Sequence, residues 1–309
     1  MDNLENEFKH SCYVDPEGRE FYYIHVDRGN SQLGVHYSAF FGDWGDAPKY
    51  RQTFGGYFHR LKILGSDASI DWLFLCDAYG ADENGTYYIG TKSDPFVENA
   101  ILEILRIIGY GTRYPAKETV MIGSSMGATA ALKFGLLLDA EGVIAISPHI
   151  DLDICARLQG RERHVAWVLN SGNTQDPEHY VVTRQIQNIL TNKSEAATVL
   201  PQLFMQSCRD DNGVHFEQVV PLVARWESCG GHVWFDDRRS GGHTSEFATR
   251  PLLLDAVHRI LGNESIPIRS YKWEKKYRPY NFQKGIYLRC RRLLAGMKRF
   301  ATSKEGASS

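Results

Sequence analysis

Residues 119–128 read Thr-Val-Met-Ile-Gly-Ser-Ser-Met-Gly-Ala. The first four suit a buried strand, being β-branched or apolar. From Met126 to about Leu138 the chain is rich in alanine and leucine and suits a helix. Between them lies Gly-x-Ser-x-Gly. Where a strand turns straight into a helix, the residue at the bend takes a strained conformation and its side chain stands clear of the sheet. The two backbones nearly touch there, so the positions two before and two after the bend must be small. Ser125 meets that rule, flanked by Gly123 and Gly127. Ser124 would be flanked by Ile122 and Met126, which are too large. Ser125 is therefore the candidate nucleophile. The backbone N–H of Met126, at the start of the helix, is a candidate donor to a developing oxyanion.

On either side of this turn, short apolar segments alternate with amphipathic ones. Strands are expected at Phe21 to Val26, Val35 to Phe41, Trp72 to Cys76, Val143 to Ile146, Leu203 to Gln206 and His232 to Phe235. Apolar side chains at 96, 97, 100, 101, 104, 105 and 108 follow the helical period, and Gly109 and Gly111 stop that helix. Asp94 and Pro95 read as its N-cap and first residue. Further helices are expected at Phe216 to Trp226 and Pro251 to Leu261. Strands separated by helices imply parallel β-α-β units: an α/β fold with a mostly parallel central sheet flanked by helices. Residues 1–265 form the expected domain, with an irregular insertion at about 149–200 and a separate tail at 266–309.

A serine hydroxyl needs a base, and the base needs an orienting acid. On a sheet of this kind both belong in loops after later strands. The loop after Leu203 to Gln206 carries Asp210 and Asp211. Both are candidate acids; the loop resembles a typical hydrolase pattern, in which a valine falls three places after the acid, and Val214 then favours Asp211, with Asp210 the alternative. The loop after His232 to Phe235 carries Ser240-Gly241-Gly242-His243-Thr244, whose glycines allow a sharp turn that brings His243 over Ser125. A second oxyanion donor is expected after the Val35 to Phe41 strand, from the backbone N–H of Asp43 or, next, of Gly42. His149, which follows Pro148, is a candidate substrate contact. His215 reads as a loop or rim residue, and His258 as a surface or packing residue on a late helix.

The 309 residues are 43% hydrophobic and 23% charged, which excludes collagen, coiled-coil and disordered classes. The six cysteines (Cys12, Cys76, Cys155, Cys208, Cys229 and Cys290) form no CxxC pair. A disulfide framework or cysteine zinc site is not expected, and a reducing cytoplasm fits. No apolar run approaches the roughly 18 residues of a membrane span, and the acidic N-terminus does not read as a secretory signal. The net charge of −2 divides into −12 over residues 1–265 and +10 over 266–309. Within 271–300, Ile286, Cys290, Leu293, Leu294 and Met297 form one apolar stripe, with Arg289, Arg291, Arg292, Lys298 and Arg299 largely off it. Such a segment suits the acidic body itself, an anionic membrane surface at the inner face, or an acidic protein partner. Nucleic acid is not an expected partner, since the acidic body repels phosphate.

Gly123 to Gly127, Asp211 and His243 together resemble the α/β-hydrolase superfamily over about residues 20–262. The phrases Gly-Ser-Ser-Met-Gly-Ala (123–128) and Asp-Arg-Arg-Ser-Gly-Gly-His-Thr (237–244) look more specifically like a bacterial branch. That branch comprises capsular polysaccharide biosynthesis proteins and the glycan O-acetyltransferase of accessory secretion systems. The resemblance implies a serine esterase or O-acyltransferase acting through an acyl-enzyme on acetylated glycans, with no metal or organic cofactor. A non-catalytic assembly component of polysaccharide or secretion machinery is the alternative from another class. A peptidase or thioesterase is a third reading.

Overall fold

The computed structural model of the chain describes residues 8–40, 56–170, 173–211, 213–244 and 247–262. Eight strands form one sheet: β1 (His10–Val14), β2 (Glu20–Val26), β3 (Leu33–Tyr37), β4 (Asp71–Leu75), β5 (Thr119–Ser124), β6 (Gly142–Ile146), β7 (Gln202–Cys208) and β8 (Val233–Arg238). Their order is β1-β2-β4-β3-β5-β6-β7-β8. β1 and β2 pair antiparallel, as do β2 and β4, and every pairing from β4 to β8 is parallel.

The parallel strands are apolar on both faces, so the sheet must be covered twice. Leu73, Leu75, Met121, Val143, Ala145, Leu203 and Met205 enter one core. Trp72, Phe74, Val120, Ile122, Ile144 and Phe204 enter the other. The first core is closed by α2 (Phe96–Ile108), α3 (Met126–Leu137) and α8 (Val220–Ser228) through Val97, Ile101, Leu132 and Trp226. The second is closed by α1 (Leu61–Leu64) and α9 (Arg250–Leu261) through Leu64, Leu253 and Val257. Because β3 and β5 to β8 run the same way, the loops that leave them share one edge of the sheet, where such folds place their sites.

Several local expectations change. Residues 149–200 are helical rather than irregular: α4 (Leu152–Gln159), α5 (Glu162–Leu169), α6 (Pro177–Thr183) and α7 (Gln185–Glu195). The N-cap of α2 is Pro95, not Asp94; the Asp94 carboxylate instead accepts from Arg19 at 2.7 Å. Phe216 to Trp226 is not one regular helix, because a π-helical turn at His215–Val219 precedes α8. β3 ends at Tyr37, earlier than the expected Phe41, which lies outside the described residues along with Gly42 and Asp43. β1 had no sequence expectation. It is an edge strand whose side chains are all at least partly exposed, so it lacks an apolar signal. The tail at 266–309 lies outside the described residues.

Candidate active site

Ser125 sits between β5 and α3 with φ 53° and ψ −123°, a conformation that costs a non-glycine residue on the order of 1–3 kcal/mol. The surroundings enforce it. A Cβ on Gly123 would lie 2.0 Å from the Gly127 carbonyl oxygen, and one on Gly127 would lie 2.2 Å from the Tyr37 carbonyl oxygen. Neither contact is possible, so strand and helix approach this closely only with glycine at both places. The Ser125 N–H donates to the Ile146 carbonyl at 2.8 Å, which ties the bend to the end of β6.

His243 comes from the loop between β8 and α9. Gly242, immediately before it, has φ 64°, a left-handed conformation that favours glycine. His243 Nε2 lies 2.8 Å from Ser125 Oγ, across 118 residues of chain. Its Nδ1 lies 2.9 Å from Asp211 Oδ2. Asp211 is 3% exposed, and its other oxygen accepts from Gln159 Nε2 at 3.2 Å. A hydroxyl, an imidazole and a carboxylate therefore stand in one hydrogen-bonded chain, with the hydroxyl at the most strained point of the backbone turn. Asp210, the alternative acid, points elsewhere. Its carboxylate accepts the backbone N–H groups of Gly241 and Gly242.

Met126 is the first residue of α3, so its N–H belongs to the turn that lacks intrahelical acceptors. Its side chain is buried and packs over Gly85, where a Cβ would meet the sulfur at 2.3 Å. Gly42 and Asp43, the other expected oxyanion donors, are outside the described residues. Among the described residues, no three His, Cys, Asp or Glu side chains group as a metal site needs.

The remaining histidines separate by burial. His215 is not a rim residue: it is 1% exposed and its Nδ1 lies 2.7 Å from Ser207 Oγ. His258 is partly exposed, with Nε2 3.2 Å from Asp67 Oδ2. His149 is wholly buried, and its ring stacks on that of His243. Burial drives its pKa well below the ordinary histidine value, helped by His243 and Arg161. Sequence reasoning missed Gln159, which has no motif. It also missed the loop-holding role of Asp210, which only the fold of the histidine loop exposes.

The strand order, the serine bend, and the acid and histidine on successive later loops define the α/β-hydrolase fold. No family model matches the chain. Its sequence is 24% identical over 222 residues to the accessory Sec system protein Asp2 of Staphylococcus aureus (strain NCTC 8325 / PS 47), a match covering 69% of this chain. The chain spans 39% of the length of that relative. Its fold is similar to a capsule O-acetyltransferase variant of Neisseria meningitidis serogroup A in complex with CoA. The TM-score is 0.59 at 19% identity, covering 77% of this chain and 91% of that one. It is also similar to the substrate-bound fluorophosphonate-binding serine hydrolase FphF of Staphylococcus aureus. There the TM-score is 0.56 at 11% identity, with 82% and 98% covered.

Proposed function

We propose that the chain is a serine-nucleophile O-acyltransferase or ester hydrolase that works through an acyl-enzyme on acetylated or acetyl-accepting glycans. The observation that carries this is the hydrogen-bonded run Ser125–His243–Asp211 at a strained strand-to-helix bend. In this mechanism His243 Nε2 takes the Ser125 proton as Oγ attacks an ester or thioester carbonyl. Asp211 keeps the Nδ1–H of the ring directed at itself and stabilises the imidazolium that forms. The Met126 N–H and a second N–H, from Asp43 or Gly42, hold the oxyanion, each contributing about 3 kcal/mol. His243 then returns the proton to the leaving group. The same ring deprotonates the acceptor, water or a sugar hydroxyl, which attacks the acyl-serine and regenerates Ser125.

The glycan part of the reading is supported by what the chain is similar to: a capsule O-acetyltransferase in fold and an accessory Sec protein in sequence. The meningococcal protein was solved with CoA, so an acetyl thioester is the first donor to try. The test is covalent labelling with a fluorophosphonate, followed by mass spectrometry of the peptide bearing Ser125 after incubation with acetyl-CoA or an acetyl ester. Labelling and acetylation of wild type, both lost in Ser125→Ala, are expected. A folded wild-type protein that takes neither label would favour the non-catalytic assembly reading. Transfer is separated from hydrolysis by adding an oligosaccharide acceptor and measuring acetylated sugar against free acetate.

A further inference from the structure

His149 does not touch Ser125 in any hydrogen bond, yet it is built against the centre of the site. Its ring and that of His243 have centroids 4.9 Å apart and planes inclined by only 18°. Both backbone polar groups of His149 are fixed by one side chain: its N–H donates to Thr129 Oγ1 at 3.1 Å, and its carbonyl accepts from Thr129 Oγ1 at 2.8 Å. Thr129 stands on α3, one turn beyond Ser125. The ring is held in turn by Tyr87, whose hydroxyl lies 3.2 Å from His149 Nδ1. His149 is 0% exposed, and its Nε2 has no partner among the described residues.

The geometry of His243 leaves one freedom that this arrangement removes. Its two hydrogen bonds, to Ser125 and Asp211, act at opposite ends of the ring. They fix the line through Nδ1 and Nε2 but leave the ring able to rock about it. The loop that carries it is held at Gly241 and Gly242 by Asp210, which fixes the backbone but does not touch the ring face. A flat ring packed on that face supplies the missing restraint. We propose that His149 is a positioning residue for His243: its ring, hydrogen-bonded by Tyr87 on a backbone pinned by Thr129, holds the His243 plane in the orientation that aims Nε2 at Ser125. The partner ring must also be uncharged, because His243 becomes a cation during proton transfer and a second cation under its face would oppose that. Burial keeps His149 neutral, and the charged or titratable groups facing it are His243, Arg161 and Tyr87. A neutral aromatic face instead favours a cation stacked over it.

This inference rests on the acyl-transfer reading, and its test distinguishes the two. Wild type, His149→Ala, His149→Gln and His149→Phe are compared in turnover of a chromogenic acetyl ester and in the rate of fluorophosphonate labelling, with thermal midpoints as the folding control. His149→Ala and His149→Gln should lower kcat and the labelling rate by about ten- to a hundredfold while KM stays within about twofold. His149→Phe keeps a ring face and loses both nitrogens, and it should recover most of the loss. Tyr87→Phe, which removes only the anchor hydroxyl, should cost about two- to fivefold. Wild-type turnover with His149→Ala equal to it, or with folded His149→Phe no better than His149→Gln, would overturn the positioning role. Absence of both turnover and labelling in wild type would instead overturn the acyl-transfer reading on which it stands.

Discussion

Asp210 Oδ1 accepts the backbone N–H of Gly242 at 2.7 Å, one residue before His243. The same oxygen accepts the Gly241 N–H at 2.8 Å. Asp211, the next residue in the chain, instead accepts from the His243 ring. Adjacent carboxylates thus hold one histidine in two ways, Asp210 through its loop backbone and Asp211 through its imidazole. The two losses should differ in size. Asp211→Asn leaves the shape but disturbs the tautomer, so kcat should fall by about 10³- to 10⁴-fold. Asp210→Ala frees two N–H groups and loosens the loop, so kcat should fall by about ten- to a hundredfold. Asp210→Asn keeps an acceptor oxygen and should fall less. Steady-state kinetics on the three variants decides this. A larger loss in Asp210→Asn than in Asp211→Asn would reverse the two assignments.

The bend at Ser125 depends on missing side-chain atoms. A methyl on Gly127 would press on backbone oxygens of both Tyr37 and Ser38, at 2.2 and 2.9 Å, and neither can swing aside as a side-chain end could. Gly127→Ala should therefore force α3 away from the end of β3. It should lower unfolding stability by about 2–4 kcal/mol, at the upper end of overpacking costs, and abolish fluorophosphonate labelling. Gly111→Ala is the matched control. It has the same methyl addition at φ 81° with nothing within 4 Å, so it should cost only the left-handed backbone penalty of about 1–2 kcal/mol and leave labelling intact. Urea unfolding with unchanged m-values gives both numbers. Equal costs for the two variants would mean that strand and helix do not meet as described.

The parts of this molecule that could be read in advance are those written in local pattern. The parallel strands β4 to β8 each contain an apolar run of at least three residues, such as Trp-Leu-Phe-Leu in β4 and Val-Trp-Phe in β8, because both faces are buried there, and α2 carries a clean helical period. Ser125 and His243 were legible because tight turns demand glycines around them. The choice between Asp210 and Asp211 was harder, since both occupy one loop and only the direction of each side chain separates them. α4 to α7 escaped notice because they are short, none longer than 11 residues, and each buries only a few apolar side chains, such as Leu152, Val168 and Ile186. Nothing in the order of residues announces that His149 lies face to face with His243. That contact exists only once β6 and β8 send their loops to the same edge.

The tail at 266–309 carries +10 against −12 on the rest of the chain and lies outside the described residues. Among the described residues no helix is long and apolar enough to cross a membrane. Each Lys or Arg held near an anionic lipid surface contributes about 1 kcal/mol, and salt weakens it. The 309-residue chain should float with phosphatidylserine-containing vesicles at low salt and detach as salt is raised, and residues 1–265 should stay in the unbound fraction. Equal behaviour of the two proteins would sink the membrane assignment and leave docking on the acidic body or on a protein partner.

Buried histidines set the response to acid. His36 and His149 are both wholly buried, and burial holds their pKa values far below the ordinary one. Neighbouring groups push the same way: Arg60 and His59 at His36, His243 and Arg161 at His149. As pH falls through about 6.5 the unfolded chain protonates these rings and the folded chain does not. The unfolded state then binds more protons, so stability is full above that pH and declines below it, by about 1.4 kcal/mol per pH unit for each ring. Asp77 and Asp236, whose carboxyl pKa values burial raises, have the opposite sign: their contribution is present at acid pH and is lost as pH rises. Reversible unfolding between about pH 8 and 5 should therefore show a plateau and then a decline that begins near pH 6.5, above the carboxylate range. His25, His59 and His215 are depressed in the same direction, so His149→Phe removes one of several such rings and should make that decline shallower without moving its onset. A flat profile down to pH 5, or an unchanged slope in the folded variant, would mean that water and protons reach these rings in the native state.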